Sequence, residues 1–168
     1  MRIRGEQYDV PAPDSPWSEV LPGLWMGGHE FRARSGRLEA AVVRDEFDLV
    51  QSLLRLPGHG PAAGVEHHVW PIPDGPLDGT QLAGVMRLAR AASDAMDAGR
   101  SVLVRCYSGY NRSGLVVAQA LVHQGRTAEE AIRLVRARRS PWALHNELFV
   151  AYLRAGLSTA RLLEDLAE

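Results

Sequence analysis

The chain has 168 residues, 46% of them hydrophobic and 23% charged, with a formal net charge of -1. That length and balance describe one soluble globular domain with a single substantial core, and the near-neutral charge provides no general attraction to nucleic acid or to a membrane surface. One cysteine excludes an intrachain disulfide framework and any multi-cysteine metal site. No apolar run reaches the roughly 18 residues of a membrane span, and Met1 to Trp17 lacks the apolar core of a signal peptide, so a cytoplasmic location is expected. All 19 basic residues are arginine, which leaves no lysine for catalysis or modification.

In chain order, residues 1–18 read as an extended N-terminal arm containing Pro11, Pro13 and Pro16, and 19–168 as one domain without internal repeats. Glu19 to Met26 is predicted as the first strand and turn, ending at Gly27-Gly28. Ser35 is the predicted N-cap of a helix over Gly36 to Phe47. Asp48 to Leu54 has the apolar density of a buried strand, Gly58 to Gly64 is a Gly/Pro-rich loop, and Val65 to Trp70 is a further strand. Leu82, Val85, Met86, Ala89 and Met96 recur at helical spacing after Asp78 or Thr80 as cap, with Gly99 as the stop. Ser101 to Arg105 is a short β-rich run, and Arg112 to Gln124 is apolar at helical period. Thr127 and Glu130 form a capping box that opens another helix, with Ile132 and Val135 toward the core. Pro141 breaks that helix; Leu144 to Leu153 and Leu157 to Leu166 form two more. The alternation predicts an α/β fold: a central, mainly parallel sheet of about four to five strands, covered on both faces by helices.

The chemistry concentrates where the β-rich run meets a polar loop and a helix. Cys106 ends the strand, the loop contains Gly109, and Arg112 and Ser113 open the helix. A thiol is a weak nucleophile until its environment stabilises the thiolate, and the unpaired amides and dipole of a helix start do that. The amides of Tyr107, Ser108, Gly109, Tyr110, Asn111 and Arg112 can curl into a nest around a phosphate dianion. Gly109 suits a turn with positive φ. Arg112 supplies a two-pronged donor for phosphate oxygens that tightens in the transition state, and Ser113 can hydrogen-bond the sulfur as it leaves.

Such a site needs a general acid for the departing oxygen. Asp74 lies on the Pro/Gly-shaped loop Trp70-Pro-Ile-Pro-Asp74-Gly-Pro after a predicted strand; Asp78, ahead of Gly79-Thr80, reads better as a helix cap. His59, His67 and His68 make no metal ligand set, since neighbouring strand histidines point to opposite faces. The basic stretch of Arg133, Arg136, Arg138 and Arg139 reads as a solvated helix face partly paired with Glu129 and Glu130. The four tryptophans read as packing residues, with Trp70 placed to support the acid loop. Tyr107 and Tyr110 line the pocket, with Tyr110 placed to meet a substrate ring.

Cys106, five intervening residues with Gly109 among them, then Arg112-Ser113-Gly114 resemble the signature of cysteine-dependent protein phosphatases, in the small dual-specificity-like branch. Pro71-Ile-Pro-Asp74 resembles the family's acid loop, Glu19 to Gly28 its opening strand and turn, and Asn146-Glu-Leu-Phe149 a late helix. The likeness spans roughly Glu19 to Leu153. It implies a cysteinyl-phosphate intermediate, no metal and no cofactor, and phosphotyrosine or related phosphoesters of proteins as substrates. Phosphoinositides, nucleotides or other small phosphoesters would use the same residues, and a module that binds phosphorylated ligands without turnover is the remaining alternative within the family. A structural domain with a buried cysteine would bind no anion at all. One departure stands out: Arg105 occupies the position before the cysteine, where the family usually has histidine.

Overall fold

The protein is described here from a computed structural model, which covers residues 10–167. Five strands build the main sheet: β1 (Trp17–Leu21), β2 (Leu24–Gly27), β5 (Leu49–Ser52), β6 (Glu66–Val69) and β7 (Val102–Arg105), in the order β1-β2-β7-β5-β6. Only the β1–β2 pair is antiparallel; β2–β7, β7–β5 and β5–β6 are parallel. The expected mainly parallel sheet is therefore present. β7 sits at its centre between two parallel neighbours with all four residues buried, Val102, Leu103 and Val104 followed by Arg105.

Five helices follow: α1 (Gly79–Asp97), α2 (Arg112–His123), α3 (Ala128–Arg138), α4 (Glu147–Ala155) and α5 (Leu157–Ala167). Two of their starts carry capping boxes, Asp78 with Gln81 at α1 and Thr127 with Glu130 at α3. Asp78 is thus the cap and not a free carboxylate. Each helix contributes its buried residues to one core with Leu24, Met26, Leu49, Val102 and Val104. No helix among the described residues is long and apolar enough to cross a membrane.

The other face of the sheet departs from expectation. The helix predicted over Gly36 to Phe47 does not form. Instead β3 (Glu30–Arg32) and β4 (Leu38–Ala40) make a small hairpin, followed by coil. Gly36 takes φ +82° in the hairpin turn, a conformation a helix cannot continue, and Leu38 and Val42 are exposed. The apolar spacing mistaken for a helix serves a smaller purpose: Val43 and Phe47 reach back to Val50 and Leu103, with Trp17 and Trp25 packed edge-on against Phe47. This face is closed by coil and aromatic rings, and the helices lie on the opposite one.

Candidate active site

Parallel strands deliver their C-terminal ends to one edge of the sheet, and the end of β7 is its midpoint. Cys106 follows directly, 3% exposed, with its Sγ 3.3 Å from the Ser113 hydroxyl in the first turn of α2. Residues 107–111 between them form bends without turn hydrogen bonds. Their carbonyls all point outward. The Tyr107 carbonyl accepts from the His29 N–H, that of Tyr110 from Leu144 and that of Asn111 from Leu115. Those of Ser108 and Gly109 accept from the Arg139 guanidinium. Among the described residues none accepts from the N–H groups of residues 107–112. Pulling every carbonyl out turns the amides in, which is the physical origin of an anion nest. Gly109 makes this geometry possible: it has φ +75°, and a Cβ there would lie 2.5 Å from the Gly27 backbone.

The start of α2 is left open in the same way. Asn111 is its N-cap residue but makes no side-chain cap bond. Its carboxamide works elsewhere: Nδ2 donates to Asp74 Oδ2 at 3.0 Å and lies 3.3 Å from His145 Nε2, while Oδ1 accepts from the Asn146 N–H. Asn146 in turn donates from Nδ2 to Asp74 Oδ1 at 2.8 Å. The exposed Asp74 carboxylate is therefore held from both sides by amides, beside a pocket of about 240 Å³ that it lines with Cys106, Arg112 and residues 107–111 except Gly109. Arg112 donates from Nη1 to the Ile72 carbonyl at 3.3 Å, and its Nε is buried without a partner among the described residues. A larger groove of about 500 Å³ on α1, α2 and α5 is lined by no cysteine, serine or threonine.

No family model matches this chain, and no curated protein matches it in sequence. Solved structures do. Human DUSP28 aligns over 86% of this chain and 95% of its own, with 26% identity and a TM-score of 0.67. A mouse protein assigned as a dual specificity phosphatase, solved with zinc tungstate, aligns over 98% of this chain and 97% of its own, with 25% identity and a TM-score of 0.64. In fold and in sequence the chain is similar to small dual-specificity-like members of the cysteine-dependent protein phosphatases. OH1 from the Orf virus, a tyrosine phosphatase, shares the fold at 17% identity and a TM-score of 0.58, over 88% and 90% of the two chains.

Arg105 stays out of the pocket. Side chains alternate along β7, so Arg105 points to the face opposite the helices and is 1% exposed there. Its Nε donates to the Ser52 hydroxyl at 2.9 Å, Nη1 to the His59 carbonyl at 2.8 Å and Nη2 to the Gly60 carbonyl at 2.6 Å. Burial brings its pKa down to about 10, still well above neutral pH. His67 shares the Ser52 hydroxyl at 2.8 Å, and burial, with the charge of Arg105 next, lowers its pKa to about 4. His29 is lowered to about 4 chiefly by burial. His67 and His68 take different partners, the Ser52 hydroxyl for His67 and the Glu66 carboxylate for His68.

The flanking residues meet the expectations in part. The basic stretch is a solvated face only in part: Arg133 and Arg138 are exposed, but Arg139 is 7% exposed and grips the loop through Ser108 and Gly109, Arg136 donates to the carbonyls of Ala143 and Leu144, and Glu129 pairs with Arg154. Tyr110 borders the pocket but is 4% exposed, with its hydroxyl donating to the Pro11 carbonyl at 2.8 Å, so it holds backbone and not a substrate ring. Trp70 packs on Gly84 and donates to the Gln81 carbonyl, anchoring the strand end to α1. Asn111 was foreseen only as a loop amide, and the roles of Asn146, His145 and Arg139 were not foreseen. The Asn-x-x-Phe run was visible, but nothing local ties a late helix cap to a carboxylate 72 positions upstream.

Proposed function

We propose that this phosphatase hydrolyses phosphomonoesters, with phosphotyrosine or related protein phosphoesters as substrates, in two steps that need no metal. The observation that carries the reading is the meeting of Cys106, Arg112 and Asp74 in one pocket whose floor is lined by unpaired amides. Cys106 as thiolate attacks phosphorus, the S–P bond forms and the P–O ester bond breaks. Asp74 gives its proton to the departing oxygen. The amides of residues 107–112 and the Arg112 guanidinium hold the three equatorial oxygens, where charge is spread in the transition state. In the second step Asp74, now a carboxylate, takes a proton from water as that water attacks phosphorus. The S–P bond then breaks with the Ser113 hydroxyl donating to sulfur, and inorganic phosphate leaves. Residues 19–168 act as one catalytic unit.

Steady-state hydrolysis of a small aryl phosphate in the presence of EDTA tests this. Turnover by the wild type, its loss in Cys106→Ser and a strong reduction in Asp74→Asn are the expected results. If Asp78→Asn were the damaging change and Asp74→Asn mild, the acid is misassigned. Absence of wild-type turnover alongside tight vanadate binding would make the chain a phospho-ligand binding module.

A further inference from the structure

Residues 10–16 do not hang free of the domain. The Pro13 carbonyl accepts from the Arg32 N–H at 2.7 Å and that of Pro16 from Gly28 at 3.1 Å. Tyr110 holds the Pro11 carbonyl. Arg139 then joins this segment to the phosphate loop through one guanidinium. Nε donates to the Gly109 carbonyl at 3.2 Å and Nη2 to that of Ser108 at 2.9 Å, while Nη1 donates to the Ser15 carbonyl at 2.9 Å. The hydroxyls of Ser15 and Ser18 complete the shell of Nη1 at 3.3 and 3.2 Å. A group that fixes the nest thus fixes the segment as well. Val10, the first of the described residues, packs partly buried against the main core and lines the same pocket as Cys106, Asp74, Tyr107 and His145.

We propose that the strap from Val10 to Ser18 is a preformed specificity wall, and that Val10 makes the pocket select aryl over alkyl phosphomonoesters. The proposal rests on the pocket being the phosphoester site. With the phosphoryl group on the amides above Cys106 and the ester oxygen beside Asp74, the next atoms outward belong to the leaving group. There, among the described residues, the pocket offers one aliphatic side chain, Val10, together with the rings of Tyr107, Tyr110 and His145. A phenyl ring covers that surface. A serine-type methylene covers little of it and leaves apolar area wet. Because the wall is tied down through carbonyl bonds at Pro11, Pro13, Ser15 and Pro16, little ordering cost falls on binding.

Binding is measured first, by calorimetry on Cys106→Ser with a phosphotyrosine and a phosphoserine peptide of one flanking sequence. The tyrosine peptide is expected to bind about 100-fold more tightly, and Val10→Gly in that background to lower the ratio about tenfold, the discrimination a small apolar contact supplies. Tyr110→Phe, which removes only the hydroxyl that holds Pro11, is expected to move the ratio the same way by about threefold. Equal weakening of both peptides by Val10→Gly, or an unchanged ratio in both variants, overturns the proposal. The ratio of kcat/KM for an aryl and an alkyl phosphate in the Cys106-containing protein must follow the same order. If that protein shows no turnover while the binding ratio still responds to Val10→Gly, the hydrolytic reading fails and the wall stands.

Discussion

Arg105 and Arg112 bracket the phosphate loop, carry the same charge and differ in one respect that matters. Behind the sheet, each nitrogen of Arg105 has a partner: Ser52 for Nε, His59 and Gly60 for the two Nη. In front, Arg112 makes one long bond to Ile72, its buried Nε has no partner among the described residues, and the loop amides beside it are likewise unpaired. The rear region is finished and the front region is not. Charge alone therefore does not locate the site in an arginine-rich chain; unmet hydrogen-bonding capacity does. The same contrast accounts for an arginine just before the cysteine, where the family that the sequence resembles usually has histidine. A residue on the rear face of β7 can change from histidine to arginine without entering the pocket.

Breaking the front region should cost activity and little stability. The largest effect is expected from Cys106→Ser, with kcat/KM for an aryl phosphate falling about 10⁴-fold or more and the denaturant midpoint nearly unchanged. Arg112→Lys keeps the charge and loses the planar fork, and should cost about 10²- to 10³-fold. Asp74→Asn should cost about 10²-fold with a phenyl phosphate, and visibly less with a nitrophenyl phosphate whose leaving oxygen needs little proton assistance. An equal loss on both substrates would count against the acid role.

The proposed site was legible because the loop from Cys106 to Arg112 is local. A buried strand, a glycine at positive φ, an arginine and a helix start follow one another within a few residues, and each has a mechanical reason to be there. The sheet and the helices with capping boxes were readable on the same grounds. What could not be read is what depends on distant partners. Arg139 reads as another exposed arginine until the fold places it under Ser108 and Gly109, and Asn146 is an ordinary helix cap until its second amide hydrogen meets Asp74. The Gly36–Phe47 segment misled because its apolar residues repeat near helical spacing, while Gly36 and the exposed Leu38 belong to a hairpin. Periodicity outvoted one glycine, and the glycine was the better witness.

Breaking the rear region should do the reverse. Arg105→Met leaves the Ser52 hydroxyl and the Gly60 carbonyl short of a donor, and should lower stability by about 1–3 kcal/mol, read from the denaturant midpoint. Its kcat/KM should stay within a few-fold of wild type. A loss of activity without a loss of stability would show that the two regions are not separate.

The smallest effect is the most specific. The charges of Arg105, Arg55 and His68 act on His67, and those of Arg105, His59 and Arg112 on His29; burial first and these charges next lower both to about 4. The His29 ring bonds the Leu54 carbonyl through Nε2, while its buried Nδ1 has no partner among the described residues, so a second proton would add a donor with nowhere to go. Both imidazoles are therefore neutral in the fold at a pH where the unfolded chain, with an ordinary histidine pKa near 6.5, binds protons. Unfolding takes up protons between those values, so stability is full above about pH 6.5 and is lost as pH falls toward 4. Arg105→Met removes one repulsive charge from both rings and lets their pKa values rise. Its denaturant midpoint, lower at pH 7, should accordingly fall less between pH 7 and pH 5 than that of the wild type. Parallel pH curves for the two proteins would mean that burial alone keeps these rings neutral, and that Arg105 is only a mechanical rivet between β7 and the 59–60 turn.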